Sequence, residues 1–311
     1  MTSAGSESTL STYTASDGEN IALQDWPLPD GLALRGVVLI VHGLGEHAGR
    51  HDALAKRLNG WGFAVRGYDH YGHGESGGAR GALPTSTRLV DDLADMIDST
   101  RVRMGSAVPL ILLGHSLGGL VAADLVAQDR RRIDGLVLSS PALDPGLSLL
   151  QKLLLATLPH IAPNLTVNNG VDAAYISHDM EVVNDYRRDP RVHDRVSSRL
   201  GRFVVDAAAR TLRGAAQWRI PTLLMYAADD KLVNPAGSRA FAAVAPRAVV
   251  TTQCFDGLYH EIFHELDPEP VYQRLKQWLD VRFCEPARPA QHRSAAPAAT
   301  SRSSAGSSPA S

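Results

Sequence analysis

The stretch Ile111-Leu112-Leu113-Gly114-His115-Ser116-Leu117-Gly118-Gly119, running on into Leu120–Ala127, constrains this chain more than any other. The apolar run reads as a buried strand and Leu120–Ala127 as a helix, so very few residues remain in which to reverse the path. A G-x-S-x-G at such a junction makes a sharp strand-to-helix turn, with the glycines letting strand and helix pack closely. The serine then stands at the tip, at a helix N-terminus whose dipole favours developing negative charge. There Ser116 is a candidate nucleophile, and the backbone N–H of Leu117 is a candidate donor to the oxygen of an attacked carbonyl. The alternative, a serine in an ordinary tight turn, leaves the strand and helix on either side unexplained.

Other β-branched apolar runs repeat the strand pattern: Val37–His42, Phe63–Tyr68, Pro109–Gly114, Ile133–Ser139, Pro221–Ala227 and Val249–Phe255. Helical periodicity follows Thr85 and Gly118, runs from Pro235 through Val244, and returns from Val271 to about Val281. Such alternation predicts an α/β fold whose mainly parallel sheet is covered on both faces. The alternation stops between about Pro141 and Gly214, where leucine-rich helical patterns and prolines show no convincing strand. The expected organisation is therefore a flexible N-terminus (1–11), a core (12–140 and 215–283), an inserted helical cap (141–214) and a tail (284–311). The tail is almost wholly Ala, Ser, Pro, Arg and Gly, too poor in apolar surface to offset its ordering entropy, and is expected to be disordered.

Composition removes several classes. Lys and Arg total 31 against 33 Asp and Glu, a net charge of −2, whereas a nucleic-acid binder carries a basic excess. The two cysteines, Cys254 and Cys284, form neither a C-x-x-C pair nor a zinc spacing, which favours a reducing compartment. The first twenty residues have neither the basic nor the apolar part of a secretory signal, and no apolar run approaches the ~18 residues of a membrane span. The expected location is cytoplasmic, either free or peripheral to a membrane.

A serine hydroxyl needs a base, and the order for this architecture is Ser, then Asp or Glu, then His. The acid lies in Ala228-Asp229-Asp230-Lys231-Leu232-Val233-Asn234-Pro235, after the strand ending at Ala227. Asp230 is favoured because a D-x-apolar-V-x-P pattern starts there, with Asp229 as the other register. His260, on the loop Asp256-Gly257-Leu258-Tyr259-His260-Glu261, is the candidate base. The turn His42-Gly43-Leu44-Gly45-Glu46-His47 can aim the N–H of Leu44 at the same oxygen as that of Leu117. His70, His73, His160, His178, His193 and His292 read as structural or surface residues, and His115 as part of the elbow.

Three further patterns compete. His260-Glu261-Ile262-Phe263-His264 spells H-E-x-x-H, but it follows a glycine-containing loop, and no third ligand suggests itself downstream, so no metal is expected. Gly72-His73-Gly74-Glu75-Ser76-Gly77 matches G-x-G-x-x-G, but Gly78, Gly81 and Pro84 interrupt the helix a dinucleotide requires, so no cofactor is expected. The cap stretch Leu147–Leu158 is apolar on more than one face, either packing on the core or forming a lid that admits a lipid chain or rests on a membrane.

Together these residues resemble the monoglyceride lipase and lysophospholipase group of the α/β-hydrolases. The matching elements are His42-Gly43-Leu44-Gly45-Glu46-His47 with Gly49-Arg50; Asp69-His70-Tyr71-Gly72-His73-Gly74-Glu75-Ser76; the elbow around Ser116; Asp230 with Val233 and Pro235; Tyr259-His260-Glu261 with His264-Glu265; and Tyr186-Arg187-Arg188-Asp189-Pro190 in the cap. The similarity runs from about Thr12 to Phe283. Many members have a plain turn of glycine and small residues before the acid, where this chain has Tyr226-Ala227-Ala228-Asp229. The resemblance implies an α/β-hydrolase fold and a triad of Ser116, Asp230 and His260. It also implies oxyanion donors at Leu44 and Leu117, a mobile cap over a long apolar acyl pocket, and no cofactor. The implied substrate is a monoacylglycerol or similar single-chain lipid ester cleaved through an acyl-enzyme. A short-chain carboxylesterase, an acyltransferase on the same triad and a catalytically silent binding module are the alternatives.

Overall fold

The computed structural model of the protein describes residues 7–144, 146 and 149–284. In chain order the elements are β1 (Thr9–Thr14), β2 (Asn20–Trp26), β3 (Gly36–Val41), α1 (Asp52–Gly60), β4 (Phe63–Tyr68), α2 (Arg88–Met104), β5 (Leu110–His115), α3 (Leu117–Ala127), β6 (Gly135–Ser139), α4 (Leu149–Ile161), β7 (Thr166–Asn168), α5 (Met180–Arg188), β8 (Arg195–Ser197), α6 (Ser198–Gly214), β9 (Thr222–Ala227), α7 (Ala236–Val244), β10 (Val250–Phe255) and α8 (Glu269–Arg282). Among the described residues eight strands join in the order β1-β2-β4-β3-β5-β6-β9-β10, and β7 pairs with β8 apart from them. From β4 to β10 the neighbours run parallel; β1 and β2 are antiparallel additions at one edge.

The middle strands are apolar along their length because helices cover both faces. All six residues of β3 are buried, and alternate side chains point to opposite layers. Val37, Leu39 and Val41 join Leu112, Leu138 and Leu224 against Leu93 of α2, Leu120 of α3 and Phe203 of α6. Val38 and Ile40 join Ile111, Leu113 and Met225 against Leu54 and Leu58 of α1 and Leu275 and Leu279 of α8. Each such side chain contributes about 1.5–3 kcal/mol through burial. Leu44, Ser116, Asp230 and His260 follow the carboxyl ends of β3, β5, β9 and β10, the edge where open α/β sheets bind ligands.

The expected strands appear within two residues of their places. Three other expectations change. The N-terminus expected to be flexible over 1–11 is a strand from Thr9 onward, because every residue of Thr9–Thr14 pairs with β2. Its pattern is exposed nearly throughout, so no apolar alternation marks it; β-formers such as Thr9, Thr12 and Tyr13 suffice once an edge is offered. The stretch 141–214, expected to lack strands, contains β7 and β8, three residues each, favoured by β-branched Thr166, Val167 and Val196. Helix α1 is unforeseen, its short stripe of Leu54, Ala55 and Leu58 lying between two stronger strand patterns. Of the tail expected over 284–311, all but Cys284 lies outside the described residues, as do residues 1–6.

Candidate active site

Ser116 closes β5 and opens α3 with φ 52° and ψ −117°. A non-glycine residue held at positive φ costs about 1–3 kcal/mol and persists only where its surroundings enforce it. Here its N–H donates to the Ser139 carbonyl at 2.9 Å, while its own carbonyl accepts from Leu120 at 3.1 Å and Ala142 at 3.0 Å. The close passage of α3 beneath β3 requires glycine, since a Cβ on Gly118 would lie 2.0 Å from the Val41 carbonyl oxygen.

His260 and Asp230 meet from two successive strand ends. The His260 Nδ1–H donates to Asp230 Oδ2 at 2.6 Å, and the two side chains are 6% and 3% exposed. The other oxygen, Oδ1, accepts from the N–H groups of Leu232 and Val233, each at 2.9 Å. Burial opposes both charges, but the partner's charge and these hydrogen bonds outweigh it. The pKa of His260 is raised above the ordinary imidazole value, and that of Asp230 is lowered below the usual carboxylate range. An ionised Asp230 can only accept, which leaves Nε2 as the basic nitrogen of a neutral ring. The alternative register points elsewhere: Asp229 Oδ2 accepts from the Gly257 N–H at 2.9 Å. His115 lies 4.8 Å from His260, ring to ring. Burial first, and the His260 charge second, hold its pKa down to about 3, so it stays neutral.

Leu44, Ser116, Leu117 and His260 line one cavity of about 450 Å³. Leu155, Leu158, Leu165, Val196 and Val204 give much of its wall a hydrocarbon surface, and Glu46, Tyr186, Asn168, Asn169 and Ser198 are among its polar residues.

A buried charge network in the wall of this cavity escaped the sequence reading. Glu46 Oε1 accepts from the Gly43 N–H at 2.6 Å. Arg50 donates to Glu46 at 2.7 Å and to both oxygens of Glu261 at 2.6 and 2.8 Å. Its guanidinium sits 4.8 Å over the ring of Tyr186 in α5. One cation therefore joins the 42–47 turn, the His260 loop and the inserted stretch. Burial works to neutralise Glu261, yet Arg50 and His264 hold its carboxyl well below the usual range. The i, i+4 spacing of Glu46 and Arg50 was the available signal; Glu261, 211 residues further on, has no local signature.

The competing motifs resolve by orientation. His264 Nδ1 lies 2.7 Å from Glu261 Oε2 while His260 faces Asp230, so the two rings of H-E-x-x-H address different carboxylates. The 72–77 loop opens no helix; His73 packs against His42 and His70 of the core and His193 of the inserted stretch, with ring centroids 5.5, 5.9 and 4.5 Å away.

Comparison with known proteins bears on this arrangement. The profile of the family described as serine aminopeptidase, S33, matches residues 33–267. A monoacylglycerol lipase of Mycolicibacterium smegmatis is 33% identical over 248 residues, covering 79% of this chain and 88% of the relative. An uncharacterized abhydrolase domain-containing protein of Dictyostelium discoideum is 31% identical over 282 residues, or 89% of this chain, which spans 29% of that longer relative. Among solved structures, the monoacylglycerol lipase of Paleococcus ferrophilus matches with a TM-score of 0.75 at 34% identity, over 88% of this chain and 99% of its own.

Proposed function

The chain belongs to the family described as serine aminopeptidase, S33, and is a serine hydrolase of the α/β-hydrolase fold; from that premise we propose that it hydrolyses monoacylglycerols or similar single-chain lipid esters through an acyl-enzyme on Ser116. His260 Nε2 takes the Ser116 hydroxyl proton as Oγ attacks the ester carbonyl. The N–H groups of Leu44 and Leu117 receive the charge that builds on the carbonyl oxygen. As the tetrahedral intermediate collapses, His260 returns the proton to the departing alcohol; the same ring then deprotonates a water, which releases the fatty acid. Asp230 keeps the imidazole in its working tautomer and stabilises the imidazolium.

The observation that carries this reading is the make-up of the cavity: Ser116 and His260 share one wall with a larger set of leucines and valines, Leu154, Leu155, Leu158, Leu165, Val196 and Val204 among them. An ester fits the first and its acyl chain the second. Residues 141–214 act as the cap in this reading. Its Ile161 is 81% exposed, and Leu154 (44%) and Leu165 (53%) line the cavity while still reaching solvent, apolar surface suited to transient contact with a lipid surface. No helix among the described residues is long and apolar enough to cross a membrane.

The test is a rate panel of esters graded from acetate to oleate, with monoacylglycerols and lysophospholipids included, run beside Ser116→Ala. The variant is expected to lose ~10⁴–10⁶ in kcat. A maximum at acetate or butyrate overturns the lipid assignment in favour of a short-chain carboxylesterase. Dominant transfer to a competing alcohol in dilute solution replaces hydrolysis with acyl transfer.

A further inference from the structure

We infer that Glu265 is a positioning residue that ties the inserted stretch to the loop carrying His260, so that the seating of that stretch sets where the imidazole stands during turnover. The inference rests on the triad reading above and adds to it a second layer of control.

A carboxylate with a side chain only 2% exposed must have its hydrogen bonds supplied by the protein. Those of Glu265 come from two segments. Oε1 accepts from the N–H of Tyr259, the residue before His260, at 2.6 Å. Oε2 accepts from the N–H of His178 at 3.1 Å, and the His178 Nδ1 lies 3.0 and 3.2 Å from the two oxygens. The same segments meet at three further points. The Glu261 N–H donates to the Ile176 carbonyl at 2.8 Å. The Ser177 hydroxyl donates to the His264 carbonyl at 2.8 Å. The rings of His178 and Tyr259 stack with centroids 3.6 Å apart and planes 23° apart.

Residues 176, 177 and 178 thus run as a splint along residues 259–265, holding the loop on both sides of His260. Glu265 is the joint that grips both strips at once. Neither Glu265 nor His178 is among the residues walling the cavity, so neither touches a substrate there. Their effect passes through the loop. The Asp230–His260 bond, at 2.6 Å, leaves little slack. A displacement of ~1 Å in a catalytic group can cost ~10²-fold. The segment before α5 therefore behaves as the anchored foot of the inserted stretch.

The experiment uses the full chain and a short, soluble nitrophenyl ester, with competent sites counted by fluorophosphonate titration so that rates are per active site. Glu265→Ala is expected to lower kcat by about 10–100-fold with KM nearly unchanged, and to move the acid limb of kcat/KM down as the Asp230 contact loosens. Glu265→Gln keeps an oxygen for the Tyr259 N–H but turns its NH₂ toward the His178 N–H, and is expected to recover only part of that loss. His178→Ala is expected to show part of the same kcat defect, and the Glu265→Ala/His178→Ala pair to be no slower than Glu265→Ala alone. Unchanged kcat per site in Glu265→Ala, equal losses for Ala and Gln, or losses that multiply in the double variant each overturn the inference. Should Glu265→Ala not fold, a lowered kcat per site in both Glu265→Gln and His178→Ala supports it, and wild-type kcat in either overturns it. Ser116→Ala separates the two readings: normal turnover there removes the triad itself, whereas an inactive Ser116→Ala beside a fully active Glu265→Ala removes only the role of Glu265.

Discussion

Asp230→Asn isolates the electrostatic half of the triad with almost no change of shape. The asparagine oxygen can still accept from Leu232 and Val233, as Asp230 Oδ1 does at 2.9 Å. Its amide NH₂ then faces His260 Nδ1, where the carboxylate accepted at 2.6 Å. Two donors cannot share that contact, so the ring shifts its proton to Nε2 and presents N–H to Ser116 instead of a lone pair. A tautomer error of this kind costs ~10⁴-fold in kcat, or about 5.4 kcal/mol of transition-state stabilisation. The pH dependence carries a second signature. In the wild-type chain the raised pKa of His260 places the acid limb of kcat/KM above the ordinary imidazole value of 6.5, with activity falling as pH drops through it. Without the carboxylate, burial is opposed only by the smaller effects of the Glu261 and Glu46 charges, and the limb of the residual activity moves down. Stability follows with its own sign. A histidine whose folded pKa is raised stabilises the fold below its unfolded pKa, and that gain fades as pH rises through the folded value. The Tm deficit of Asp230→Asn is therefore larger at pH 5.5 than at pH 8.5. The assay is steady-state hydrolysis of a nitrophenyl ester from pH 5 to 9, with Asp229→Asn in parallel. Among the described residues Asp229 accepts from the exposed Gly257 N–H, so its variant is expected to stay within about threefold of wild type. A larger loss for Asp229→Asn than for Asp230→Asn, or an acid limb unmoved in Asp230→Asn, refutes the reasoning.

Three other perturbations test neighbouring parts of the argument. Arg50→Met leaves Glu46 and Glu261 buried without their cation, at a cost of about 3–5 kcal/mol and a fall in Tm on the order of 10 °C by calorimetry. Both carboxyls are held low in the folded chain despite burial, Glu46 by His51 and Arg50 and Glu261 by Arg50 and His264, so that gain is lost as pH falls and the Tm gap should be narrower at pH 4 than at pH 8. Gly118→Ala drives a methyl to 2.0 Å from the Val41 carbonyl; loss of folded protein, or destabilisation above about 3 kcal/mol in urea titration, is expected, and a wild-type midpoint would contradict the elbow geometry. Gly201→Val fills the cavity where a Cβ would already lie 2.9 Å from Leu155 Cδ2. Displacing about three methylenes at ~0.8 kcal/mol each predicts about 50-fold weaker kcat/KM on the longest esters with short ones spared, and equal losses at every length would show that the acyl chain lies elsewhere.

The central strands and the elbow were legible because their signals are local. β3, β4 and β5 are buried on both faces and so are mainly apolar, with Arg66 and His115 as the exceptions, and the turn at Ser116 needs small residues at fixed offsets. β1 and the β7–β8 pair were not legible. Their residues are exposed or half-buried except for Ser197, so no hydrophobic alternation marks them, and they become strands because partner edges stand beside them. The candidate site divides along the same line. Ser116 and His260 could be placed from motif and chain order, and Asp230 was favoured over the adjacent Asp229 only by the D-x-apolar-V-x-P pattern that starts there.

The amino-acid order by itself determined the backbone events that a handful of neighbouring residues can specify: where strands begin, where the chain must bend, which glycines the bend demands. Tertiary structure alone decided that Arg50 finds Glu261 and that Glu265 grips both Tyr259 and His178. The physical reason is range. Backbone preferences act over a few residues, whereas a buried charge is tolerable only with a partner, and that partner can be 211 positions away, brought within hydrogen-bonding distance by the packing of everything between.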